Sequence, residues 1–521
     1  MKNIKKLTIL IGLPIVLSAC APLNISSSND GSNNNSISEN SSSTSQSQGP
    51  TDQEIYQALF NPSNNVRFDL KMSKEAIVAM NDYGYNPLIT TYFDIYWPGD
   101  LSISIGNTTL SYPQVGVRLK GNTNSRGEIC DSDGNIVSKR HLKISFDETF
   151  DDEMYASDMP GNPFLVDWTN QTASRKERKK RTLGGMEKID LKWNASLDLS
   201  KAKQSYALKT FRDNGIIAPN DNVIGFNLGV YSSTGEYIDG FNDTFDMLEC
   251  IDETFINRNF PLEERGGDLY KCLSHDIVLA DLSNTIISQI GIEDNYTGYH
   301  PTYDLKTNKK TSDMSAMYNM IDVISQNTSY RGAITPTIKS KLEETVDIDH
   351  FLKMEAITFL MGNPDDQRFN YNNYYIYFEK TSKKAYYIPY DWDWCFGCTY
   401  LAGNAISYKP FQIETTKQRQ NTDALYYRTI ISSTSSTLGK SSMYPVVSEY
   451  RDKYAQYINT YKTSILSNAG FSEYLNTLYY AGKDEVATVS TEKGQLTTFK
   501  SYASQKLTVV NTALQSAGYS I

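Results

Sequence analysis

The chain has 521 residues, and 39% of them are hydrophobic, which is enough to form a folded core. Its formal net charge is −10, and this argues against nucleic acid as a general partner. An acidic surface would tolerate a basic protein partner better.

The N-terminus has the pattern of an export signal. A lysine-rich start is followed by an apolar run over 7–17, which is too short to span a bilayer. The four residues ending at Cys20, Leu-Ser-Ala-Cys, resemble the bacterial lipobox, in which the cysteine is acylated. We predict a signal peptide over 1–20 and attachment through Cys20 to the extracytoplasmic face of the cell membrane. The alternative is an ordinary secretory signal with an incidental cysteine.

The segment after this signal is a predicted tether. Residues 21–52 consist largely of Ser, Asn, Gln, Gly and Thr. Such a composition cannot bury a core, so we expect disorder. The globular body is then expected to begin at residue 53.

Short helices and amphipathic strands are predicted at the start of this body. The predicted elements are helices over 55–60 and 74–80 and strands over 115–120 and 141–146. In both strands apolar and polar residues alternate, which is typical of a half-buried strand. Arg118 and Lys120 share the polar face of the first strand, and Lys143 lies on that of the second.

The middle of the chain carries a dense basic run over 175–181, inside a polar insertion over 151–188. Such a run usually forms a solvated loop. The elements predicted beyond it are a helix over 201–214, strands over 223–231 and 245–251, an acidic loop over 239–246 and a short helix over 253–257.

The second half is predicted to be more helical. Its predicted elements are helices over 312–325 and 348–360, strands over 373–378 and 385–388, and mostly helical stretches over 444–467 and 485–515. The two strands are aromatic and joined by a polar turn, which is a hairpin pattern. This order predicts an α+β fold with two lobes and a mainly helical C-terminal part.

Two carboxylate clusters bracket the predicted hairpin. Asp365 and Asp366 precede it, Asn373 begins it, and Asp391 and Asp393 follow it. A hairpin brings the start of its first strand beside the end of its second, so these side chains should converge. Carboxylates repel each other, and a cation is the expected reason to gather them. Oxygen ligands without a histidine pair suit Mg²⁺ or Mn²⁺, with Ca²⁺ as a further candidate.

Phosphoryl transfer uses such a metal, an aspartate that orients the nucleophile and a cation on the phosphates. In ordinary kinases an aspartate and an asparagine precede a hairpin and a metal-binding aspartate follows it. Asp365, Asn373 and Asp391 have this order, and Lys143 or Lys120 could contact the phosphates. The usual H-R-D, G-x-G-x-x-G and G-x-x-x-x-G-K-[ST] signatures are absent.

The chain resembles the spore coat protein H (CotH) kinase family of atypical protein kinases. Seven segments match its motifs in order: 118–126 resembles R-x-(K/R)-G-N-(S/T), 139–146 the lysine strand, 208–219 the helix leading to G-(V/I)-x-x-P, 248–252 V-E-x-I-D, 267–271 G-x-L-Y-K, 362–365 G-N-x-D and 389–397 P-W-D-x-D-x-x-F-G. Single segments are weak signals, but seven in order are specific.

The resemblance implies a kinase-like domain over 53–440, with a helical extension over 441–521 packed on it. It also implies ATP and a divalent metal as cofactors. The implied roles are catalysis for Asp365 or Asp366, metal binding for Asp391, Asn373 and Asp393, and nucleotide binding for Lys143, Lys120, Arg118 and Glu249.

The leading hypothesis is a lipid-anchored atypical kinase that phosphorylates serine or threonine of extracytoplasmic or coat-type proteins. Its protein substrate could be basic or serine-rich. The second hypothesis is a kinase-fold surface binding protein or adhesin without catalysis. The third is a carbohydrate-active enzyme with paired carboxylates, which would not explain the motif order.

Overall fold

The computed structural model describes residues 49–85, 94–121, 126–150, 176–193, 198, 200–274, 279–282, 289–294, 299–325, 335–398, 402–411, 424–426, 429–430, 448–481 and 495–521. From residue 50 onward they belong to one compact unit, Pro50–Ile521. The predicted signal peptide with Cys20 and nearly all of the predicted tether lie outside these residues, as does much of the polar insertion. None of the helices in these ranges has the length and apolar character that a membrane span requires.

The described strands are, in chain order, β1 Val66–Ser73, β2 Trp97–Ile105, β3 Thr108–Leu119, β4 Leu142–Ser145, β5 Lys188–Lys192, β6 Asp221–Tyr231, β7 Tyr237–Glu249, β8 Asp268–Cys272, β9 Ile290–Gly291, β10 Tyr303–Leu305, β11 Tyr374–Phe378 and β12 Ala385–Pro389. The described helices are α1 Asp52–Phe60, α2 Lys74–Gly84, α3 Lys203–Asp213, α4 Glu253–Asn259, α5 Ser315–Ser325, α6 Pro336–Thr345, α7 Ile348–Met361, α8 Ala402–Ser407, α9 Ala424–Tyr426, α10 Ser448–Ile465, α11 Asn468–Tyr480 and α12 Gln495–Ser516. The α+β class predicted from the sequence is confirmed.

Among the described strands, β1 to β7 close into a barrel in the order β1-β2-β3-β4-β5-β7-β6. Alternate residues of a strand face opposite sides. Val117, Ile144 and Ile189 lie side by side in β3, β4 and β5 and are buried in the barrel core. The neighbouring row, on the other face, carries the polar side chains of Arg118, Lys143 and Asp190. Two of these side chains belong to the candidate site described below.

Two features of the barrel differ from the sequence predictions. β5 was not predicted, because Lys188–Lys192 directly follows a long polar stretch that hides its alternation. The predicted acidic loop over 239–246 is wrong, because these residues lie in β7 and pair with β6. The acidic side chain of Asp243 is tolerated there because it contacts the ammonium groups of Lys139 and Lys201.

The second sheet has the order β12-β11-β8-β10-β9. The predicted hairpin is confirmed, with Tyr374 paired to Pro389 and Phe378 paired to Ala385. Helix α7 leads into it and ends at Gly362, whose φ of 64° is a left-handed conformation that favours glycine. This ending turns the chain sharply just before Asp365.

The buried apolar side chains of the described residues form two clusters. One fills the barrel, and the other surrounds the second sheet, helix α7 and the helices that follow residue 447. Helix α10 packs along α7. The described C-terminal helices therefore share one core with the hairpin and help to hold it in place.

Candidate active site

The end of the hairpin gathers a group that we call the acidic edge, formed by Asp365, Asn373, Asp391 and Asp393. The backbone N–H of Tyr390 donates to the carbonyl of Asn373 at 3.1 Å, just beyond the last strand pair. This bond extends the hairpin by one step and sets Asn373 beside the chain that leads to Asp391.

Asp365 is fixed by asparagines. The Nδ2 of Asn373 donates to the Oδ2 and to the carbonyl of Asp365, both at 2.9 Å. Asn363 accepts from the backbone N–H of Asp365 at 2.9 Å and donates to the carbonyl of Asp391 at 3.3 Å. Asn363 thus ties the two sides of the acidic edge together.

Two residues of the acidic edge have unusual backbone conformations. The φ angles of Asn373 and Asp391 are 59° and 60°. Residues other than glycine rarely adopt this left-handed conformation, and it often occurs at functional sites. With these conformations, Asn373 donates to Asp365 and Asp391 contacts Lys192.

Asp366 is not part of the acidic edge. Its Oδ1 accepts the backbone N–H groups of Arg368 and Phe369, at 2.9 and 3.0 Å, and its side chain is buried. Burial and the neighbouring Glu355 hold its pKa well above the usual value. The structure therefore places Asp365, and not Asp366, beside Asn373 and Asp391, although the sequence left the two aspartates as alternatives.

A lysine that the sequence reasoning missed lies within the acidic edge. The Nζ of Lys192, on β5, contacts the Oδ1 of Asp391 and lies 3.3 Å from the Oδ2 of Asp393. It also donates to the Oε1 of Gln204 at 2.8 Å, and the residue is only 2% exposed. Burial alone would lower the pKa of Lys192, but the two aspartates raise it. The ammonium therefore stays charged.

Lys192 does not balance all the negative charge of the acidic edge. Burial opposes ionisation of Asp391, yet Lys192 lowers the pKa of Asp391 below its usual value. In contrast, burial together with Asp391 and Asp365 raises the pKa of Asp393 to about 7. One carboxylate is thus left without a matching positive charge, and a further cation would be favourable here.

This charge balance bears on the divalent metal that the family resemblance implies. Within the described ranges, no group of three or more His, Cys, Asp or Glu side chains is arranged to hold a metal. Mg²⁺ commonly binds through one or two carboxylates and completes its shell with substrate phosphates and water. The oxygens of Asp391 and Asp393 fit that donor set, with Asn373 and Asp365 next to them.

The barrel presents a second group, which we call the basic face, formed by Lys120, Lys143, Asp190 and Tyr390. Lys143 of β4 pairs in register with Asp190 of β5. The Nζ of Lys143 is 2.9 Å from one oxygen of Asp190, and the Nζ of Lys120 is 3.1 Å from the other. The hydroxyl of Tyr390 accepts from Lys120 at 2.6 Å and donates to Asp190 at 3.1 Å.

Asp190, which the sequence reasoning also missed, fixes the predicted phosphate lysines. Burial would raise its pKa, but Lys120 and Lys143 hold the pKa of Asp190 well below its usual range. The basic face adjoins the acidic edge at two points, since Tyr390 precedes Asp391 and Asp190 lies two residues from Lys192. Burial, Lys192 and Lys120 lower the pKa of His141 to about 3, so this neighbouring imidazole is neutral.

Arg118 and Glu249, both predicted to bind the nucleotide, have other partners. Arg118 lies in the same row as Lys143 but pairs with Asp94 at 2.7 Å. Glu249 lies in register with Ile189, so it shares the face of the barrel core and is fully buried. Its carboxylate accepts from Arg258 at 2.6 Å and from the Tyr56 hydroxyl at 2.8 Å. The structure therefore keeps Glu249 apart from the basic face.

A family model described as CotH kinase protein matches residues 154–515, well over half of the chain. The chain belongs to the CotH kinase family. The CotH match covers the acidic edge, β5 and five of the seven resembling segments, and the segments around Lys120 and Lys143 precede it.

The other comparisons add little to the CotH assignment. No curated protein matches the chain. One solved structure that matches is the proinflammatory kinase CtkA of Helicobacter pylori. It is 13% identical, with a TM-score of 0.27, and the match covers 63% of this chain and 92% of that chain.

Proposed function

We propose that this CotH family member is a protein kinase that transfers the γ-phosphoryl group of ATP to serine or threonine, with Mg²⁺ or Mn²⁺. The observation that carries the proposal is the junction of the acidic edge and the basic face at Tyr390, Asp391 and β5. A metal site and a phosphate site must adjoin in phosphoryl transfer, and these two groups of opposite charge do so.

Each side chain receives one role. Lys120 and Lys143 contact the phosphates, and Asp190 pairs with both ammonium groups and holds them close to each other. Asp391 and Asp393 would hold the metal, with Asn373 next to them. The metal, when bound, supplies positive charge to the β- and γ-phosphates.

Asp365 is the proposed general base of the transfer step. The hydroxyl oxygen of the substrate forms a bond to the γ-phosphorus while the bond from this phosphorus to the bridging oxygen breaks, which releases ADP. Asp365 accepts the hydroxyl proton. Burial and the charge of Asp391 raise the pKa of Asp365, which makes its carboxylate a better proton acceptor.

The proposed layout has two lobes. The barrel would form one lobe, and the second sheet with α7 and the C-terminal helices would form the other. ATP would lie between the two, with its phosphates at the basic face. This arrangement agrees with two contacts between the barrel and the segment after the hairpin: Asp190 accepts from Tyr390, and Lys192 pairs with Asp391.

The proposed location follows from the sequence. The export signal and the Leu-Ser-Ala-Cys segment that ends at Cys20 support a lipid anchor on the extracytoplasmic face of the membrane. A net charge of −10 favours a basic protein substrate. Acylation of Cys20 can be measured by mass spectrometry of the protein purified from membranes. An unmodified cysteine in the mature protein would contradict it.

A labelled-phosphate assay tests the proposed activity. The full-length protein should transfer phosphate from ATP to itself or to a basic, serine-rich protein when Mg²⁺ or Mn²⁺ is present. Asp391→Ala should reduce transfer at least about a hundred-fold, because a metal contributes several kcal/mol to stabilising the transition state. Asp213→Ala, at an exposed ion pair on α3, is the matched control.

Two results would overturn the proposal. Equal transfer by Asp391→Ala would remove Asp391 from the site. ATP binding without any transfer to a panel of proteins would favour the noncatalytic surface binding protein.

A further inference from the structure

Lys271 is a charged side chain that no role described above uses. It lies on β8, in register with Tyr375 of β11 and with Asp304 of β10. Tyr375 contacts the ring of Tyr390 edge-on, with 5.3 Å between centroids. The face of the second sheet that carries Lys271 is therefore the face turned toward Tyr390.

Distances to Tyr390 place Lys271 beside the basic face. Its Nζ lies 6.0 Å from the centroid of the Tyr390 ring, and the Nζ of Lys120 lies 5.2 Å from the same centroid. One lysine comes from the barrel and the other from the second sheet. Both ammonium groups thus border a single aromatic ring.

No carboxylate of the described residues lies within ion-pair distance of Lys271. The acidic residues of the surrounding strands have other partners. Glu293 accepts from His300 at 3.0 Å and from Lys306 at 3.1 Å, and Lys306 also contacts Asp304. Asp190 is already shared by Lys120 and Lys143. Lys271 is therefore a half-buried ammonium without a counter-charge among these residues.

The electrostatic surroundings agree with an excess of positive charge. Burial, and next the charge of Lys306, lower the pKa of Lys271 to about 8. Glu293 acts in the opposite direction, but Lys120 and Lys143 lower the pKa further. Removing an ammonium from water, even in part, is costly unless a ligand supplies the missing negative charge. The location of Lys271 beside Tyr390 indicates where a ligand would bind. The excess of positive charge indicates that this ligand is an anion.

We propose that Lys271 is a third phosphate-contacting lysine, which binds the triphosphate of ATP from the second sheet while Lys120 and Lys143 bind it from the barrel. This inference rests on the proposed function. Lysine binds phosphate as a point charge, and a triphosphate carries enough negative charge to engage three ammonium groups around one aspartate. Contacts from both sides would make nucleotide binding depend on how the barrel meets the second sheet.

If Lys271 had a purely structural role, its substitution would lower the stability of the fold. Lys271→Met keeps the length of the side chain and removes an ammonium that has no counter-charge. We expect its thermal stability to equal or exceed that of the wild type. Any loss of ligand binding would then report a lost contact with the ligand and not a damaged fold.

Calorimetric titration of the full-length protein with ATP, inorganic tripolyphosphate and adenosine tests the proposal. Lys271→Met should weaken ATP and tripolyphosphate binding at least about ten-fold, the usual effect of losing a hydrogen bond to a charged group. Adenosine binding should not change. Lys209→Met, which removes an exposed lysine paired with Asp213, should bind all three as the wild type does.

Other outcomes separate this inference from the proposed function. Unchanged binding of both phosphate ligands by Lys271→Met would overturn the inference and leave the kinase proposal standing. If the wild type bound tripolyphosphate through Lys271 but did not bind ATP, the kinase proposal would fail and the anion site would stand. Binding of neither ligand would overturn both.

A second measurement avoids any variant. An amine-reactive reagent applied at pH 8, followed by mass spectrometry of peptides, should label Lys271, and tripolyphosphate should suppress that labelling. Labelling that tripolyphosphate does not change would contradict the proposal, whereas Lys209 should be labelled equally in both conditions.

Discussion

The acidic edge and the basic face adjoin each other, but the chain builds them in different ways. The residues of the acidic edge come from one hairpin and the turns that flank it, with only Lys192 added from the barrel. The basic face joins strands that are far apart in sequence, since Lys120 and Tyr390 are separated by 270 positions. The acidic edge therefore depends on local geometry, whereas the basic face depends on how the barrel meets the hairpin.

Asparagine substitutions at the adjacent Asp365, inside the acidic edge, and Asp366, outside it, should give the largest difference in kcat. Asp365→Asn removes the proton acceptor and should lower kcat at least about a hundred-fold, which is typical of lost general-base catalysis. Asp366→Asn keeps the oxygen that accepts from Arg368 and Phe369 and should retain kcat within a few-fold. Steady-state kinetics with melting temperatures would check both variants, and the reverse order of kcat values would exchange their roles.

Lys192→Met tests the cation that links the two regions. The substitution leaves Asp391 and Asp393 without their ammonium partner, and both side chains keep some exposure, 28% and 21%. We expect a loss of about 2 kcal/mol in the free energy of unfolding, below the usual cost of breaking a fully buried pair. Denaturant unfolding measures this loss.

Added Mn²⁺ should show whether the loss of stability in Lys192→Met comes from the uncompensated charge of Asp391 and Asp393. If the two carboxylates can hold a metal, Mn²⁺ should stabilise Lys192→Met more than the wild type. Equal stabilisation of both proteins by Mn²⁺ would contradict the metal-binding role of the acidic edge.

The pH dependence of nucleotide binding should distinguish the basic face from the acidic edge. Lys271 is cationic below its pKa of about 8 and neutral above it, so ATP affinity should fall several-fold as the pH rises from 7 to 9. Lys271→Met should flatten this dependence, and calorimetry at each pH would measure it. The charged or titratable groups around Lys271 are Lys120, Lys143, Asp190, Glu293, His300, Asp304, Lys306, Tyr375 and Tyr390.

Glu249→Gln should have the smallest effect on nucleotide binding. Its carboxylate is buried with Arg258 and Tyr56, apart from both regions, so the substitution should lower the free energy of unfolding by about 3 kcal/mol and leave ATP affinity unchanged. Calorimetry on the folded variant measures this affinity. An affinity loss larger than a few-fold would return Glu249 to the nucleotide site.

The contrast between the two regions also explains what the sequence could predict. The proximity of Asp365, Asn373 and Asp391 could be predicted because a hairpin fixes its own ends, and its pattern of aromatic strands and polar turn is visible locally. Asp190 and Lys192 were missed because their neighbours are set by the pairing of β5 with β4 and β7, which the sequence of β5 alone does not indicate. Lys271 belonged to a recognised motif, but its place beside Tyr390 depends on the order of strands in the second sheet.

Asp365 and Asp366 show a limit of a different kind. They are neighbours of identical chemistry, so composition and spacing cannot separate them. The turn that follows decides between them, because it takes one oxygen of Asp366 for two backbone N–H groups and leaves Asp365 facing Asn373. In the same way, Glu249 was assigned to the nucleotide by motif, but the alternation of β7 turns it to the barrel core.

The central claim is that the acidic edge and the basic face bind one ligand together, the metal complex of ATP. The most direct measurement is calorimetric titration of ATP into the full-length protein with and without Mn²⁺. Because linkage is reciprocal, Mn²⁺ should tighten ATP binding by about ten-fold or more, and Asp391→Asn should abolish this coupling while the metal-free affinity remains. ATP binding that is independent of Mn²⁺, or coupling that survives in Asp391→Asn, would contradict the account.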